Sequence, residues 1–208
     1  MEIDVLITLK PGERDSEHYK KCLLSLSKEP VNIIESPFDP TGVGNARIAA
    51  IKKSNAEFFT IVDPDDTIIP GAFQQMPTIG KEISAYFTNH WILINGEKKR
   101  KWFWKLWDKG HSQERLMHHL VVYRRDAIEE SLGYLKDMMT NEFSVINLQA
   151  IYSGKVIGTE ACWYNWNSDV VGNNHSKYSR KHNPPASEER RTYLKKKIME
   201  KCYQKQTA

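Results

Sequence analysis

The sequence predicts an α/β fold: a central, mostly parallel sheet flanked by helices, with a basic helix near the C-terminal end. Three observations predict it. Short apolar runs of strand length alternate with amphipathic stretches of helix length between Ile3 and Val62, the pattern of βαβ units. The first of these runs, "IDVLITL", is apolar almost throughout, which marks a buried strand. A later run, "EFFTIV", leads into Asp63, Asp65 and Asp66, and open α/β sheets bind ligands beyond the carboxyl ends of their strands.

The elements follow in order. Ile3 to Leu9 is the first strand. "SEHYKKCLLSLSK" is a helix, with Ser16 as its cap and an apolar stripe through Tyr19, Leu23 and Leu26 at helical spacing. Val31 to Ser36 is a second strand, and "PFDPTGV" is a loop punctuated by Pro and Gly. Gly44 to Asn55 is a helix, "EFFTIV" a third strand and "PGAFQQMPTIG" a short helix. "ISAYFTNHWILING" reads as one long strand or two short ones, and "HLVVYRR" as another. "DAIEESLG" is a short helix stopping at Gly133. "TNEFSVINLQAIYSG" is a helix with Phe143, Ile146, Leu148 and Ile151 turned inward and Gly154 as its stop. "KVIGTEACWYNW" is a late strand, and Ser187 caps a final amphipathic helix carrying Leu194, Ile198 and Cys202. Crossovers between parallel strands are right-handed.

The 208 residues suit one domain. Its expected division is residues 1–180 as the main body (1–80 a ligand-binding half, 81–180 an acceptor half) and 181–208 as the basic helix. A mean hydropathy of −0.59, with no apolar run near the roughly 20 residues of a spanning helix, argues against a membrane protein. "MEIDVLITLKPG" enters a strand pattern directly and does not read as a leader. Cys22, Cys162 and Cys202 are far apart and lack metal spacing, so they read as free thiols and the expected location is cytoplasmic. The net charge is +4, unevenly placed: Lys177 to Lys205 holds ten Lys/Arg against three Glu, a net +7, leaving −3 elsewhere. Such a segment is either a solvated helix face or a surface for an acidic partner.

Asp63, Asp65 and Asp66 repel one another unless a cation sits among them. Oxygen ligands suit a hard divalent cation such as Mg²⁺ or Mn²⁺, which completes its shell with phosphates and water. Such an ion neutralises the charge that builds on a departing phosphate. Taken alone, the same Asp-rich turn also suits Asp66 as a cap for the helix after it.

The order of these phrases resembles the family-2-type, inverting glycosyltransferases of the GT-A fold. The match runs over residues 1 to about 75: "CLLSL" (22–26) on the first helix, "GNARIAAIKKSNAEF" with Arg47 on the second, then Asp63-Pro64-Asp65-Asp66 with Pro70. The resemblance implies a GT-A fold, a nucleoside-diphosphate sugar as donor, and Mn²⁺ or Mg²⁺ as cofactor. It implies that Asp63 faces the ribose or the metal-bound diphosphate, that Asp65 is the main metal ligand, and that Asp66 contacts the donor sugar or caps a helix. Arg47 reaches the nucleotide or diphosphate, and Thr8 and Lys10 line the base and ribose pocket. Members of the family carry an acidic phrase after the second strand; here "ESPFDPTG" stands there, with Glu35 or Asp39 in its place.

Inverting transfer needs a carboxylate to take the acceptor hydroxyl's proton. Where the family has "E-D-F" at a helix start, this chain has "NEF", which implies Glu142 as base with Asp137 in reserve. Without the resemblance, Glu142 is an acid stabilised in a helix's first turn. In "YNWNSDVVGNNHSKYS" the resemblance implies a loop closing over the donor, with His175 as a further metal or diphosphate ligand.

"GEKKRKWFWKLWDKGH" (96–111) interleaves Lys101 and neighbouring cations with Trp102, Trp104 and Trp107. This mixture suits stacking on bases with phosphate contacts, stacking on sugar rings, or a membrane surface. With the +7 segment it makes nucleic acid the expected acceptor, for example a hydroxymethylated pyrimidine in DNA, as in a viral DNA-modifying member. A lipid- or protein-linked glycan is the alternative acceptor. A non-catalytic nucleotide-sugar or nucleic-acid binder of the same fold is the reading from a different class. A nucleotidyltransferase would bring a Gly-rich phosphate loop, and "LKPGERDSE" matches one poorly.

Overall fold

The structure, a computed structural model, describes residues 1–94, 97–101, 117, 119–136, 142–168, 192, 193, 196, 197 and 200. Strand β1 (Ile3–Leu9) is buried at every position, and its alternation explains why. Ile3, Val5, Ile7 and Leu9 join one core cluster, and Leu6 joins the cluster on the opposite face. A strand with both faces covered must be apolar on both, and each fully buried Val, Leu or Ile contributes about 1.5–3 kcal/mol.

β1 pairs in parallel with β2 (Asn32–Pro37) on one side and β3 (Phe58–Ile61) on the other. Helix α1 (Glu17–Leu26) connects β1 to β2, and α2 (Val43–Lys53) connects β2 to β3. Ser16 caps α1 as expected, its side chain accepting from the Tyr19 N–H at 3.1 Å. The sheet continues through β4 (Thr67–Ile68), β5 (Ile83–Ile94), β6 (Glu97–Lys101), β7 (Val121–Arg124) and β8 (Lys155–Asn167). Among the described residues its order is β2-β1-β3-β7-β5-β8-β4, with β6 added on β5. The pairing is parallel for β2–β1, β1–β3 and β5–β8 and antiparallel where β7, β6 and β4 join. Short helices α3 (Arg125–Ile128) and α4 (Leu132–Leu135) lead to α5 (Glu142–Ser153). Helices α2 to α5 cover one face, and α1 with the segment around Phe73 to Ile79 covers the other. No described helix is long and apolar enough to cross a membrane.

The expected α/β class holds, and two local expectations are corrected. "PGAFQQMPTIG" forms turns rather than a helix. The buried Glu29 carboxylate accepts from the N–H groups of Gly71 at 2.5 Å and Phe73 at 3.0 Å, and Gly71 sits at φ 81°. Those N–H groups are taken by a side chain, so no helical ladder starts there. Gly133 does not stop a helix: it lies inside α4, after a 3₁₀ turn at Glu129–Ser131. Gly154 does follow α5 directly, and a Cβ there would lie 2.9 Å from the Glu82 carbonyl oxygen.

The two polar positions of β1, Asp4 and Thr8, alternate onto the face that α2 covers. Asp4 is 3% exposed, and its Oδ2 accepts from Ser54 Oγ at 2.6 Å and from the N–H groups of Asn55 and Ala56 at 3.2 Å each. This latch fixes the chain between α2 and β3. Arg125 completes it, donating to the carbonyls of Ile51 and Ala56 at 2.9 Å each and to Ser54 Oγ. Burial alone would raise Asp4, but the donors of Ser54, Ala56, Asn32 and Asn55 outweigh it and hold the carboxyl below its usual range. Asp4→Ala is expected to cost about 2–4 kcal/mol, because three donors lose their acceptor. A depressed carboxyl stabilises the fold above its unfolded-state pKa and ceases to do so as pH falls through the folded value. Urea midpoints of the variant and the native chain should therefore differ at neutral pH and converge in acid.

Candidate functional site

The site lies beyond the carboxyl ends of β1 and β3. Val62 extends β3 by donating to the Leu6 carbonyl at 3.1 Å, and Asp66 N–H then returns to the Asp63 carbonyl at 3.1 Å. Asp63-Pro64-Asp65-Asp66 is thus a hydrogen-bonded β-turn with Pro at its second position, where its fixed φ fits. The turn separates the three acids.

Asp66 points into the protein and is 1% exposed. Its Oδ2 accepts from Tyr164 Oη at 2.5 Å and its Oδ1 from the Asn167 N–H at 2.7 Å. Tyr164 Oη in turn accepts from the Asp63 N–H at 3.4 Å. Burial first, then the charges of Asp63 and Asp65, push the Asp66 carboxyl well above its usual range. Burial, then Asp66 and Asp63, raise the Tyr164 phenol likewise. The Cys22 thiol, whose Sγ lies 3.8 Å from the Asp63 carbonyl oxygen, is pushed up to about 12 by burial and then by Asp66, Asp63 and Asp65. All three shifts describe negative charge crowded in a low-dielectric place.

Asp63 is half-buried and faces Arg47, whose Nη2 donates to its Oδ1 at 2.7 Å. Arg47 Nη1 donates to Thr8 Oγ1 at 3.3 Å, and the guanidinium carbon stands 5.4 Å from the centre of the Phe143 ring. The residue is 4% exposed. Arg47 therefore joins β1, the acidic turn and the first turn of α5. Glu142 is the first residue of α5, next to Phe143; its side chain lies outside the described residues.

Asp63, Asp66 and His119 bring one ligand atom each within 4.8 Å of one another. The His119 ring stacks on Tyr164 at 4.9 Å and on Trp166 at 5.3 Å, with His90 edge-on at 5.0 Å. Two carboxylates and an imidazole offer hard oxygens and a borderline nitrogen, a set that fits Mn²⁺ and, through its oxygens, Mg²⁺. A cation there would also answer the charge crowding on Asp66. These ligand atoms come from the turn after β3 and from the entry to β7.

Asp65 is not among the three ligand groups that converge with Asp66. With Thr67, His18 and Lys21 of α1, Leu93, Asn165 and Asn167 it lines a shallow cleft of about 230 Å³. Glu35 is held by Tyr19 Oη at 2.5 Å and by Arg14, on the α1 face and away from Arg47. Burial first, then Glu35, raise the Tyr19 phenol. Asp39 accepts from the Thr41 N–H at 2.8 Å within its own loop. Lys10 donates its backbone N–H to Glu13 at 2.8 Å, just past β1. The structure thus brings Thr8, Arg47, Asp63 and Asp66 together, while the contacts described for Asp65, Glu35 and Lys10 lie outside that group. Lys101 ends β6, paired with His90, and its side chain lies outside the described residues. His175, Asp137, Trp102, Trp104 and Trp107 also lie outside them.

Sequence reasoning missed His119 and Tyr164. Both sit in strand phrases, "HLVVYRR" and "ACWYNW", and nothing local sets them apart from core residues. Their role comes from register: β7 enters beside β3, and β8 pairs with β4 directly after the acidic turn.

No protein-family model matches the sequence, and no curated protein is similar to it in sequence. Solved structures of S. aureus TarS 1–349 are similar in fold. One superposes with a TM-score of 0.60 at 15% identity, covering 81% of this chain and 61% of that one. The complex with UDP-GlcNAc gives 0.61 at 15% identity, covering 81% and 59%. The complex with UDP gives 0.59 at 14%, covering 80% and 60%. This chain spans about three fifths of the length of that protein's solved portion. At such identity the likeness speaks for architecture: the chain has the mixed α/β GT-A fold, with its acidic turn at the carboxyl end of the sheet.

Proposed function

We propose that the protein is a glycosyltransferase that moves a sugar, with inversion, from a nucleoside-diphosphate sugar to an acceptor hydroxyl, using Mn²⁺ or Mg²⁺. The observation that carries this reading is the convergence of Asp63, Asp66, His119 and Arg47 at the carboxyl end of the sheet in a fold shared with a protein solved with UDP-GlcNAc and with UDP. Asp63, Asp66 and His119 hold the cation, with Asp65 on its flank; the cation's contribution is to neutralise charge on the leaving diphosphate. Arg47 orients that diphosphate through its planar fork, while Thr8, Lys10 and Glu35 border the nucleoside. Glu142 takes the acceptor hydroxyl's proton as the acceptor oxygen bonds to the anomeric carbon. The bond from that carbon to the phosphate oxygen breaks, and the nucleoside diphosphate leaves with its electron pair.

For the acceptor we favour a hydroxymethylated base in DNA. Lys98 and Lys99 of β6 are exposed, and the sequence continues through Lys101 to Trp102, Trp104 and Trp107, a composition suited to phosphate contacts and base stacking. On sequence grounds His175 is proposed as a further ligand of the metal or the diphosphate.

The test is nucleoside-diphosphate release from a panel of nucleotide sugars with Mn²⁺, with and without hydroxymethylated DNA. Metal-dependent release that rises with this DNA and falls steeply with salt supports the whole reading. Metal-dependent release indifferent to DNA keeps the transferase and moves the acceptor to a glycan. Failure of every donor to bind in the presence of metal would sink the transferase reading.

A further inference from the structure

The ion pair between Arg47 and Asp63 uses the same carboxylate that the cation-binding group needs. Asp63 gives Oδ1 to the guanidinium at 2.7 Å, and it is also within 4.8 Å of the ligand atoms of Asp66 and His119. A cation entering this group meets a neutralised carboxylate. The guanidinium itself is under-used: its contact to Thr8 is long at 3.3 Å, and its buried Nε–H meets no hydrogen-bond acceptor. Five N–H donors in a fixed fork match two phosphate oxygens better than they match one carboxylate oxygen and one hydroxyl. The Phe143 ring beneath the guanidinium gives a stacking surface on which it can shift without losing contact.

We infer that Arg47 is a counter-ion switch, resting on the metal-binding part of the reading above: it neutralises Asp63 until a diphosphate draws the guanidinium away, and Asp63 then passes to the divalent cation. Arg47 is here a positioning residue for the cation as well as a contact for the diphosphate. Cation and diphosphate bind with positive coupling, and linkage makes that coupling equal in both directions. The cation alone binds weakly because Arg47 holds its ligand.

The experiment is titration of the full chain with Mn²⁺ alone, following the free-ion signal by electron paramagnetic resonance at fixed ionic strength. Native protein, R47M, R47Q and D63N are compared, each checked for a cooperative melt. Removing a positive charge next to a carboxylate is expected to tighten Mn²⁺ binding by at least about tenfold in R47M and R47Q, the scale on which one neighbouring charge shifts a carboxylate's affinity for a proton. D63N is expected to lose the binding. If R47M fails to fold, R47Q against native protein decides on the same criterion. Folded Arg47 variants that bind Mn²⁺ no tighter than native protein overturn the switch, while native binding lost in D63N would leave the metal site standing. Absence of Mn²⁺ binding in native protein and Arg47 variants alike overturns the metal site and the switch with it.

Discussion

Asp63→Asn is expected to lower metal-dependent nucleoside-diphosphate release by about 10²–10³-fold while the chain stays folded, because under the proposed function it removes a carboxylate ligand of the cation that would neutralise the leaving diphosphate. Asparagine keeps an acceptor for Arg47 Nη2 and leaves the backbone of the turn intact, so the loss is electrostatic rather than architectural. The buried guanidinium would lose its counter-charge. Asp63's side chain is 31% exposed, so water screens part of that loss, and the stability cost is expected to be about 1–2 kcal/mol. For a chain of this size that lowers the melting temperature by roughly 2–8 °C. Asp65→Asn is the control. Asp65 lines the cleft with His18 and Lys21 and is not among the three ligand groups Asp63, Asp66 and His119, and its substitution is expected to change release by less than about tenfold. Initial rates and melting curves on both variants check the contrast. Equal losses at the two positions would place the cation between Asp63 and Asp65, and the Asp66–His119 pair would then be a buried structural contact.

What could be read from the sequence is what short-range chemistry dictates. The apolar run of β1, the Ser16 cap, the turn propensity of Asp63-Pro64-Asp65-Asp66 and the stop after α5 each follow from a few neighbouring residues. What could not be read depends on distant partners. "PGAFQQMPTIG" has helical composition, yet Glu29 takes its N–H groups from some forty residues away in sequence. Which of three adjacent acids turns inward was likewise hidden. Asp66 turns in because Tyr164 and Asn167, about a hundred residues further on, present a hydroxyl and an N–H to it. Glu35 is spoken for by Arg14 and Tyr19 across the top of α1, and that too is a matter of packing. The resemblance implied that Arg47, Thr8 and Asp63 each face the donor; the contacts of Arg47 to Thr8 and Asp63, and to Phe143 at the start of α5, were not implied by it.

That last contact sets the second large effect. Glu142→Gln is expected to lower sugar transfer by about 10²–10⁴-fold, the usual scale for loss of a positioned general base, with donor affinity unchanged. Glutamine fills nearly the same volume and cannot accept the proton. Phe143 lies against Arg47, Arg47 holds Asp63, and Glu142, the first residue of α5, comes immediately before Phe143. Replacing an acid in the first turn of α5 costs stability of only about 0.3–1 kcal/mol through the helix dipole, so folding does not confound the reading. Transfer rates and donor titrations, run with the donor that supports release, separate proton abstraction from binding. A variant that transfers at the native rate would remove Glu142 from the reaction and pass the role to Asp137, testable by Asp137→Asn. A variant that loses donor affinity as much as turnover would instead make Glu142 a donor contact.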